Sequence, residues 1–242
     1  MATETVRHTA KEKRTEGKAE NKTLYVDFLF FKVDPSFRRV GEKEKLAAVK
    51  EFQKVLEENR TLFKVRPYLT LGLRAEIDFL LWAITEDLEK VQQFVADLYQ
   101  TGLGKYLSLV YSFVALKKPS QYALPHQQAF EKEDPPKKFL FIYPFVKSRE
   151  WYLLPFEKRQ EIMNEHLRVA HEYPSVRLNT TYAFGLGDQD FVLAFEADEP
   201  SDFENLVQRL RETEGSRYTV RDTPMIVATA RSIETLLKGL SL

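Results

Sequence analysis

Hydrophobic and polar positions along this chain follow two patterns, one typical of strands and one typical of helices. The segments that show these patterns come in the same order in both halves of the chain. Alternation over short aromatic and β-branched runs predicts strands, and apolar residues three or four positions apart predict helices. In the first half we predict strands at 24–33, 61–73, 75–84 and 106–116 and helices at 42–59 and 87–99. In the second half we predict strands at 139–146, 176–184, 190–196 and 217–230, helices at 154–171 and 200–212, and a terminal helix at 233–240. Thr85 and Ser201 are predicted helix caps, and Pro155 is predicted in the first turn of its helix.

Both halves therefore read β-α-β-β-α-β, the order of a ferredoxin-like unit. We predict an α+β fold in which two ferredoxin-like halves form a dimeric α+β barrel within one chain. The predicted parts are a disordered charged arm (1–22), an N-terminal half (23–118), a connection rich in proline and charge (119–138) and a C-terminal half (139–242). An apolar inward face of the barrel could enclose a large, flat ligand. The fold alone indicates no activity.

Composition excludes several classes of protein. The chain has no cysteine, so disulfides, thiolate metal sites and iron–sulfur clusters are excluded, and a cytoplasmic location is expected. Its 36 basic and 36 acidic residues cancel, which gives no overall attraction to nucleic acid or to an anionic membrane. No apolar run has the length of a membrane span. The GxGxxG, Walker, HExxH and GxSxG motifs are also absent.

One stretch of the second half combines groups that could form an acid–base or redox site. Period-two alternation places Tyr143 and Lys147 on one face of a strand, and helical spacing places His166 on the apolar face of the next helix with Met163, Leu167 and Ala170. His166 and His171 are five positions apart, roughly 140° around a helix, so they cannot share a metal ion. A single helix histidine facing an aromatic-lined cavity commonly holds a haem iron. A packing tyrosine, a surface lysine and a core or rim histidine remain the alternatives.

This stretch resembles the chlorite dismutase-like superfamily, and more specifically its coproheme decarboxylases of the HemQ type, with actinobacterial-type members the most similar. The strings that carry the resemblance are Tyr143-Pro-Phe-Val-Lys147, Trp151-Tyr152-Leu-Leu-Pro155, Arg159, Met163-Asn-Glu-His166, Glu172-Tyr-Pro-Ser-Val-Arg-Leu-Asn-Thr180 and Leu186-Gly-Asp188. The resemblance continues through Phe191 to Asp198 and Leu206 to Arg217. The similarity covers most of the second half. The first half matches in element order only.

The resemblance implies a role for each of these residues. His166 would be the proximal ligand of a porphyrin iron, and Tyr143 would form a radical that abstracts hydrogen from a propionate. Lys147 would bind near that propionate, with Arg217 a further candidate, and Trp151 would lie on the proximal side. The implied reaction is the hydrogen peroxide-dependent oxidative decarboxylation of iron coproporphyrin III (coproheme) to haem b. A homopentamer is the implied assembly.

The distal side of the porphyrin separates the subfamilies. Chlorite dismutases carry an arginine on the strand after the proximal helix and many HemQ enzymes carry a glutamine, whereas the matching residue here is Leu178. Because leucine supplies no donor to polarise a bound oxyanion, chlorite breakdown is not expected. His126, in the connection, would then be the base that deprotonates hydrogen peroxide, as in actinobacterial-type members. An ordinary loop histidine is the alternative.

Three other functions remain open. One is a chlorite dismutase or haem peroxidase of the same superfamily, which oxygen release from chlorite would support. A non-catalytic haem-binding or carrier protein would hold haem b without converting coproheme. A ligand-free barrel would bind no porphyrin at all.

Overall fold

The structure is a computed structural model, and it describes residues 23–123, 128–132 and 134–240. The arm predicted at 1–22 and the candidate base His126 lie outside the described residues. Within the described ranges, no helix combines the length and hydropathy needed to cross a bilayer.

The observed elements follow the predicted order. The N-terminal half contains β1 (Tyr25–Val33), α1 (Glu42–Glu58), β2 (Lys64–Leu69), β3 (Phe79–Thr85), α2 (Glu89–Gln100) and β4 (Leu107–Leu116). The C-terminal half contains β5 (Phe139–Lys147), α3 (Arg149–Leu153), α4 (Phe156–His171), β6 (Arg177–Tyr182), β7 (Phe191–Ala197), α5 (Pro200–Arg211), β8 (Thr219–Arg221), β9 (Ile226–Ala230) and α6 (Ile233–Leu240).

All described strand pairs are antiparallel, and the two halves share one strand order. The N-terminal half is ordered β4-β1-β3-β2 and the C-terminal half β9-β5-β7-β6. The halves join through β2–β9 and β4–β6, so that every described strand except β8 takes part in one closed barrel. The predicted pair of ferredoxin-like halves forming a barrel is therefore confirmed.

Side chains fill the interior of the barrel. Trp82, Tyr68 and Phe28 are fully buried there, and Phe130 from the connection packs its ring against Trp82 at 5.6 Å. Because this core is closed and aromatic, the expectation of a large ligand inside the barrel is wrong. A ligand of that size must bind outside the barrel wall.

One ion pair crosses this interior and joins the two halves. Arg66 of β2 lies 3.3 Å from the Glu196 carboxylate of β7, and both side chains are almost fully buried. Asn179 of β6 donates a hydrogen bond to Glu196 and accepts one from the backbone N–H of Phe130. Because each charge has its partner inside the core, removing one alone would leave a buried charge uncompensated. The network ties the end of the connection to the barrel.

Helices cover the two outer faces of the barrel differently. On the N-terminal half, α1 buries Phe52 in one cluster with Leu29 and Phe31. On the C-terminal half, the corresponding cluster joins strand residues to α5 through Phe203 and Leu206, but it contains no residue of α4. Helix α4 is therefore not packed onto the sheet as α1 is, and a cleft remains between them.

Several predicted boundaries and caps were wrong for local reasons. Leu154 precedes a proline and is extended (φ −63°, ψ 145°), so the long predicted helix divides into α3 and α4 with Pro155 as the N-cap of α4. The predicted strand at 217–230 divides into β8 and β9 around Pro224, which has no N–H for the ladder. Thr85 lies too early to cap α2, and Ser201 lies inside the first turn of α5, which has no side-chain cap.

Candidate functional site

Tyr143 lies on the outer face of β5, where alternation predicted it. Its ring stacks on Phe195 of β7 at 6.0 Å, and only 6% of the residue is exposed. Within the described part of the chain, the hydroxyl makes no hydrogen bond. Burial raises the pKa of Tyr143, the negative charge of Asp222 raises it further, and the charge of Arg211 opposes both. Tyr143 is therefore a neutral phenol at physiological pH, with its O–H hydrogen free for a ligand.

Lys147 ends β5 on the same face, and its ammonium group is held against aromatic rings. The ammonium donates a hydrogen bond to the carbonyl oxygen of Gly215 at 2.8 Å and lies 4.6 Å from the centre of the Trp151 ring. Burial lowers the pKa of Lys147 to about 8. The lysine is thus mostly charged at neutral pH, and its only described acceptor is an uncharged carbonyl. A ligand carboxylate would be a stronger partner.

His166 lies on α4 between the two most buried residues of that helix, Ile162 and Val169. Burial is the main cause that lowers its pKa to about 4; the charge of Lys147 lowers it further, and Glu165 opposes this. No described residue hydrogen-bonds to the imidazole. His166 is therefore a neutral imidazole without a described partner, the form that binds a metal.

A tight turn at 214–218 keeps α4 in place beside the sheet. The Glu165 carboxylate accepts a hydrogen bond from the Glu214 N–H at 3.0 Å. A Cβ atom on Gly215 would lie 3.4 Å from Cγ2 of Ile162, which is van der Waals contact, so the turn lies directly against α4. Since Gly215 also accepts the hydrogen bond from Lys147, one turn fixes both the helix of His166 and the ammonium group.

Half-buried side chains occur both on α4 and on the outer face of the sheet. On the helix these are Met163, His166, Leu167 and Ala170, and on β6 and β7 they include Thr180, Tyr182 and Leu193. The described residues contain no cluster of three histidine, aspartate or glutamate side chains that could hold a bare metal ion. An iron held by a flat macrocycle needs only an axial ligand from the protein, and a neutral histidine such as His166 is a usual ligand of this kind. The described residues therefore fit an iron porphyrin.

Leu178 lies on the same sheet face as Tyr143. It pairs with Phe195 in the β6–β7 ladder and is 37% exposed. Its neighbour Asn179 points into the barrel, where it is fully buried and bonded to Glu196. Neither residue places a hydrogen-bond donor over the cleft.

Trp151 forms the wall between Lys147 and the start of α4. It is 3% exposed, and Ser148 caps its helix by accepting the Trp151 N–H. Its ring contacts Tyr218 at 5.4 Å and Tyr122 of the connection at 6.2 Å. The Tyr122 hydroxyl in turn accepts a hydrogen bond from Arg159 on α4. The connection is therefore fastened to the N-terminal end of the helix that carries His166.

A cavity of about 570 Å³ opens beside Lys147 at the end of β5. Arg149 and Tyr152 line it from α3, and Asp188 and Asp190 line it from the β6–β7 loop. Arg149 is a cation near Lys147 that the sequence pattern did not single out.

The structure thus places Lys147 against Trp151 and near His166, and it places Tyr143 and Leu178 beside Phe195 on the outer face of the sheet. Arg217 is exposed on the turn at 214–218 and makes no hydrogen bond or ion pair with a described residue. The placement of His126 is not described. Sequence reasoning missed Arg211 and Asp222, because only the fold brings the end of α5 to residue 222 and sets residue 222 alongside β5.

Acid pH should reveal the buried neutral imidazole in the ligand-free protein. Unfolded, His166 has an ordinary pKa of 6.5, against about 4 in the folded chain. Between about pH 4 and pH 6.5, His166 binds a proton in the unfolded state but not in the folded state. The free energy of unfolding therefore falls as the pH falls through this range. We expect the stability advantage of the wild type over His166→Gln to shrink by up to about 3 kcal/mol across this window. Urea unfolding of both proteins at several pH values measures this difference in stability. A difference that does not vary with pH would contradict the prediction.

Comparisons with known proteins give consistent results. A family model described as chlorite dismutase matches residues 45–231. A coproheme decarboxylase from Mycolicibacterium smegmatis is 35% identical, covering 92% of this chain and 96% of the relative. A chlorite dismutase from Ideonella dechloratans is 29% identical, covering 90% of this chain and 80% of the relative. Among solved structures, chlorite dismutase from Candidatus Nitrospira defluvii in complex with imidazole has a TM-score of 0.84 at 25% identity, covering 90% of this chain and 95% of that one.

Proposed function

Because this chain belongs to the chlorite dismutase family of enzymes, we propose that it binds an iron porphyrin and decarboxylates it. The substrate is iron coproporphyrin III, the oxidant is hydrogen peroxide and the product is haem b. The M. smegmatis relative supports this choice of reaction within the family.

The observation that carries the proposal is the imidazole of His166, which is neutral and has no hydrogen-bond partner in the described part of the chain. It lies on a helix that is not packed onto the sheet. A structural histidine in a closed layer would have a hydrogen-bond partner and tight apolar contacts. His166 instead borders a cleft whose opposite wall carries Tyr143, Phe195 and Leu178. His166 is the proposed axial ligand of the iron.

The reaction balances with one peroxide for each propionate. The side chain –CH₂–CH₂–COO⁻ becomes a vinyl group and releases CO₂, one proton and two electrons. These, together with one further proton taken from solvent, reduce H₂O₂ to two water molecules. The bound iron porphyrin supplies the reactivity toward peroxide. Tyr143, as a radical, takes a hydrogen atom from the propionate, and burial among aromatic side chains shields it from water.

Lys147 and its surroundings suit the carboxylate of the substrate. The Lys147 ammonium can exchange its bond to the Gly215 carbonyl for a charged partner without leaving the Trp151 ring. Arg217 is proposed to meet a second propionate at the exposed rim. Trp151 forms the proximal wall.

Leu178 argues against chlorite as the substrate. An oxyanion bound over the iron gains little unless a donor is aimed at it, and leucine has none. The alternative keeps one specific support, which is the 29% identity to the I. dechloratans chlorite dismutase.

The deciding experiment mixes the purified protein with iron coproporphyrin III, adds hydrogen peroxide stepwise and identifies the porphyrins by mass. Successive conversion of two propionates to vinyl groups supports the proposal. Oxygen release from chlorite would favour a chlorite dismutase, and tight haem b binding without conversion would favour a carrier. Failure to bind any porphyrin would leave a ligand-free barrel.

His126 is proposed as the base that takes the proton of hydrogen peroxide. His126→Ala should leave coproheme affinity unchanged and slow the reaction with peroxide by about 10²- to 10⁴-fold, the usual contribution of a positioned base. Stopped-flow absorbance with coproheme-loaded protein measures this, and Gln127→Ala is the matched control. An unaltered rate in His126→Ala would make it an ordinary loop histidine.

We also propose a homopentamer located in the cytoplasm. Large apolar side chains near α3 are exposed in the single chain, with Leu153 82% and Phe184 47% accessible. A neighbouring subunit would cover such surface. Light scattering of the purified protein tests the subunit number.

A further inference from the structure

The strand pairing of β5 is interrupted directly alongside Tyr143. Val146 pairs with Arg221 of β8, and Ile142 pairs with Ile226 of β9. Between these pairs β5 has three residues, 143–145, whereas the facing chain has four, 222–225. An extra residue makes the chain leave the ladder, and Pro224 offers no N–H to restore it. Asp222 is the first of the four residues, 222–225, that leave the strand pairing.

Helix α5 ends at the same place and contributes the opposite charge. Leu206 and Leu210 of α5 pack in the cluster that contains Tyr143, and Arg211 is the last residue of the helix. Its guanidinium lies 2.8 Å from the Asp222 carboxylate, whose side chain is 25% exposed. The end of α5 and the strand break thus hold one ion pair at the edge of the Tyr143 cluster.

This ion pair supplies the charges that act on the phenol. Besides burial, the influences on Tyr143 are Asp222, which raises its pKa, and Arg211, which lowers it. A negative charge that disfavours the phenolate also stabilises positive charge on the ring, and so eases loss of an electron. Since no described residue hydrogen-bonds to the hydroxyl, its proton has no direct protein acceptor in the described part.

We propose that Asp222, held by Arg211, is a positioning residue for Tyr143 that receives the phenol proton when this tyrosine is oxidised. The proposal rests on the proposed function. In this step Tyr143 loses an electron to the peroxide-derived oxidant, and its O–H proton passes through one bridging water molecule to the Asp222 carboxylate. The phenoxyl radical then takes a hydrogen atom from the propionate, and the O–H bond is restored. The carbon radical loses CO₂ and passes a second electron to the same peroxide-derived oxidant, which gives the vinyl group. Asp222 releases its proton to solvent.

The first test uses ligand-free protein and needs no catalysis. Trifluorotyrosine at position 143 brings the phenol titration into a range where the protein stays folded, and fluorine NMR follows it. Asp222→Asn should lower the pKa of this phenol, and Arg211→Gln should raise it. Glu212→Gln breaks the neighbouring Arg209–Glu212 pair on the same helix end and should change nothing. Equal shifts in Asp222→Asn and Glu212→Gln, or no shift in either, would overturn the proposal.

The second test uses coproheme-loaded protein in a single turnover with peroxide. Asp222→Asn should bind coproheme as the wild type does but decarboxylate it about 10²-fold more slowly, as expected for loss of a proton acceptor. Its rate should also lose the solvent deuterium isotope effect of the wild type. Wild-type protein that converts no coproheme contradicts the proposed function, whereas a normal rate in Asp222→Asn beside an active wild type contradicts only the role of Asp222.

Discussion

His166→Ala should abolish the absorption spectrum of a histidine-ligated iron porphyrin. The imidazole is neutral, without a described hydrogen-bond partner and borders the cleft, so its removal takes away the proposed axial ligand. Alanine favours the helix, so α4 should stay folded. Coproheme affinity should fall by more than the roughly 10- to 100-fold that loss of an outer-shell partner costs. Spectrophotometric titration with iron coproporphyrin III measures both effects.

The same helix provides the control. His171 is exposed at the last residue of α4, five positions beyond His166. His171→Ala should bind coproheme with an unchanged spectrum and affinity. Free imidazole added to His166→Ala should enter the space left by the side chain and restore the ligated spectrum. A wild-type spectrum in His166→Ala without added imidazole would show that another residue binds the iron.

The internal repeat explains why one half carries the cleft and the other does not. Tyr143 is the fifth residue of the nine-residue β5, and the fifth residue of the nine-residue β1 is Leu29. His166 is the eleventh residue of α4, and the eleventh residue of α1 is Phe52. Leu29 and Phe52 pack in one buried cluster. In the N-terminal half, apolar side chains at these positions fill the space between helix and sheet. In the C-terminal half, polar side chains occupy the same positions and border the cleft.

Local patterns in the sequence were enough to predict the shared strand face of Tyr143 and Lys147, since alternation is a property of one strand. The prediction of the buried face of α4 was less accurate. Met163 and Leu167 were expected on the apolar side, but the most buried positions of α4 are Ile162 and Val169. Because α4 rests on the turn at 214–218 rather than on the sheet, tertiary contacts outside the helix decide which residues are buried.

Other features depend on contacts that no local pattern encodes. Asp222 lies alongside the Tyr143 segment of β5 because the β5–β8 and β5–β9 pairings leave four residues facing three, and periodicity gives no such register. Arg66 and Glu196 are 130 positions apart in the sequence. From the neighbouring residues alone, each of these charged side chains would be predicted to be exposed to solvent. The element order could thus be predicted. The long-range pairing of charges could not.

Tyr143→Phe should bind coproheme with wild-type affinity but form no vinyl product above the rate without enzyme. The substitution removes a single oxygen from a ring that stacks on Phe195, so the packing of the cluster should survive. What is lost is the O–H hydrogen, and phenylalanine cannot form an oxygen-centred radical that takes hydrogen from a propionate. Mass analysis after addition of peroxide, with affinity measured beforehand by absorbance, separates binding from chemistry.

Tyr182→Phe is the matched control for this loss. Tyr182 lies on β6, is half-buried like the rest of the cleft lining and contacts Phe191, but its hydroxyl donates to the Pro119 carbonyl. Its removal should leave the product yield near that of the wild type. If both variants lost the reaction equally, the effect would arise from the packing of the cleft rather than from the phenol. A normal yield in Tyr143→Phe would mean that another group abstracts the hydrogen, and the charges of Arg211 and Asp222 would then act on a tyrosine without a role in the chemistry.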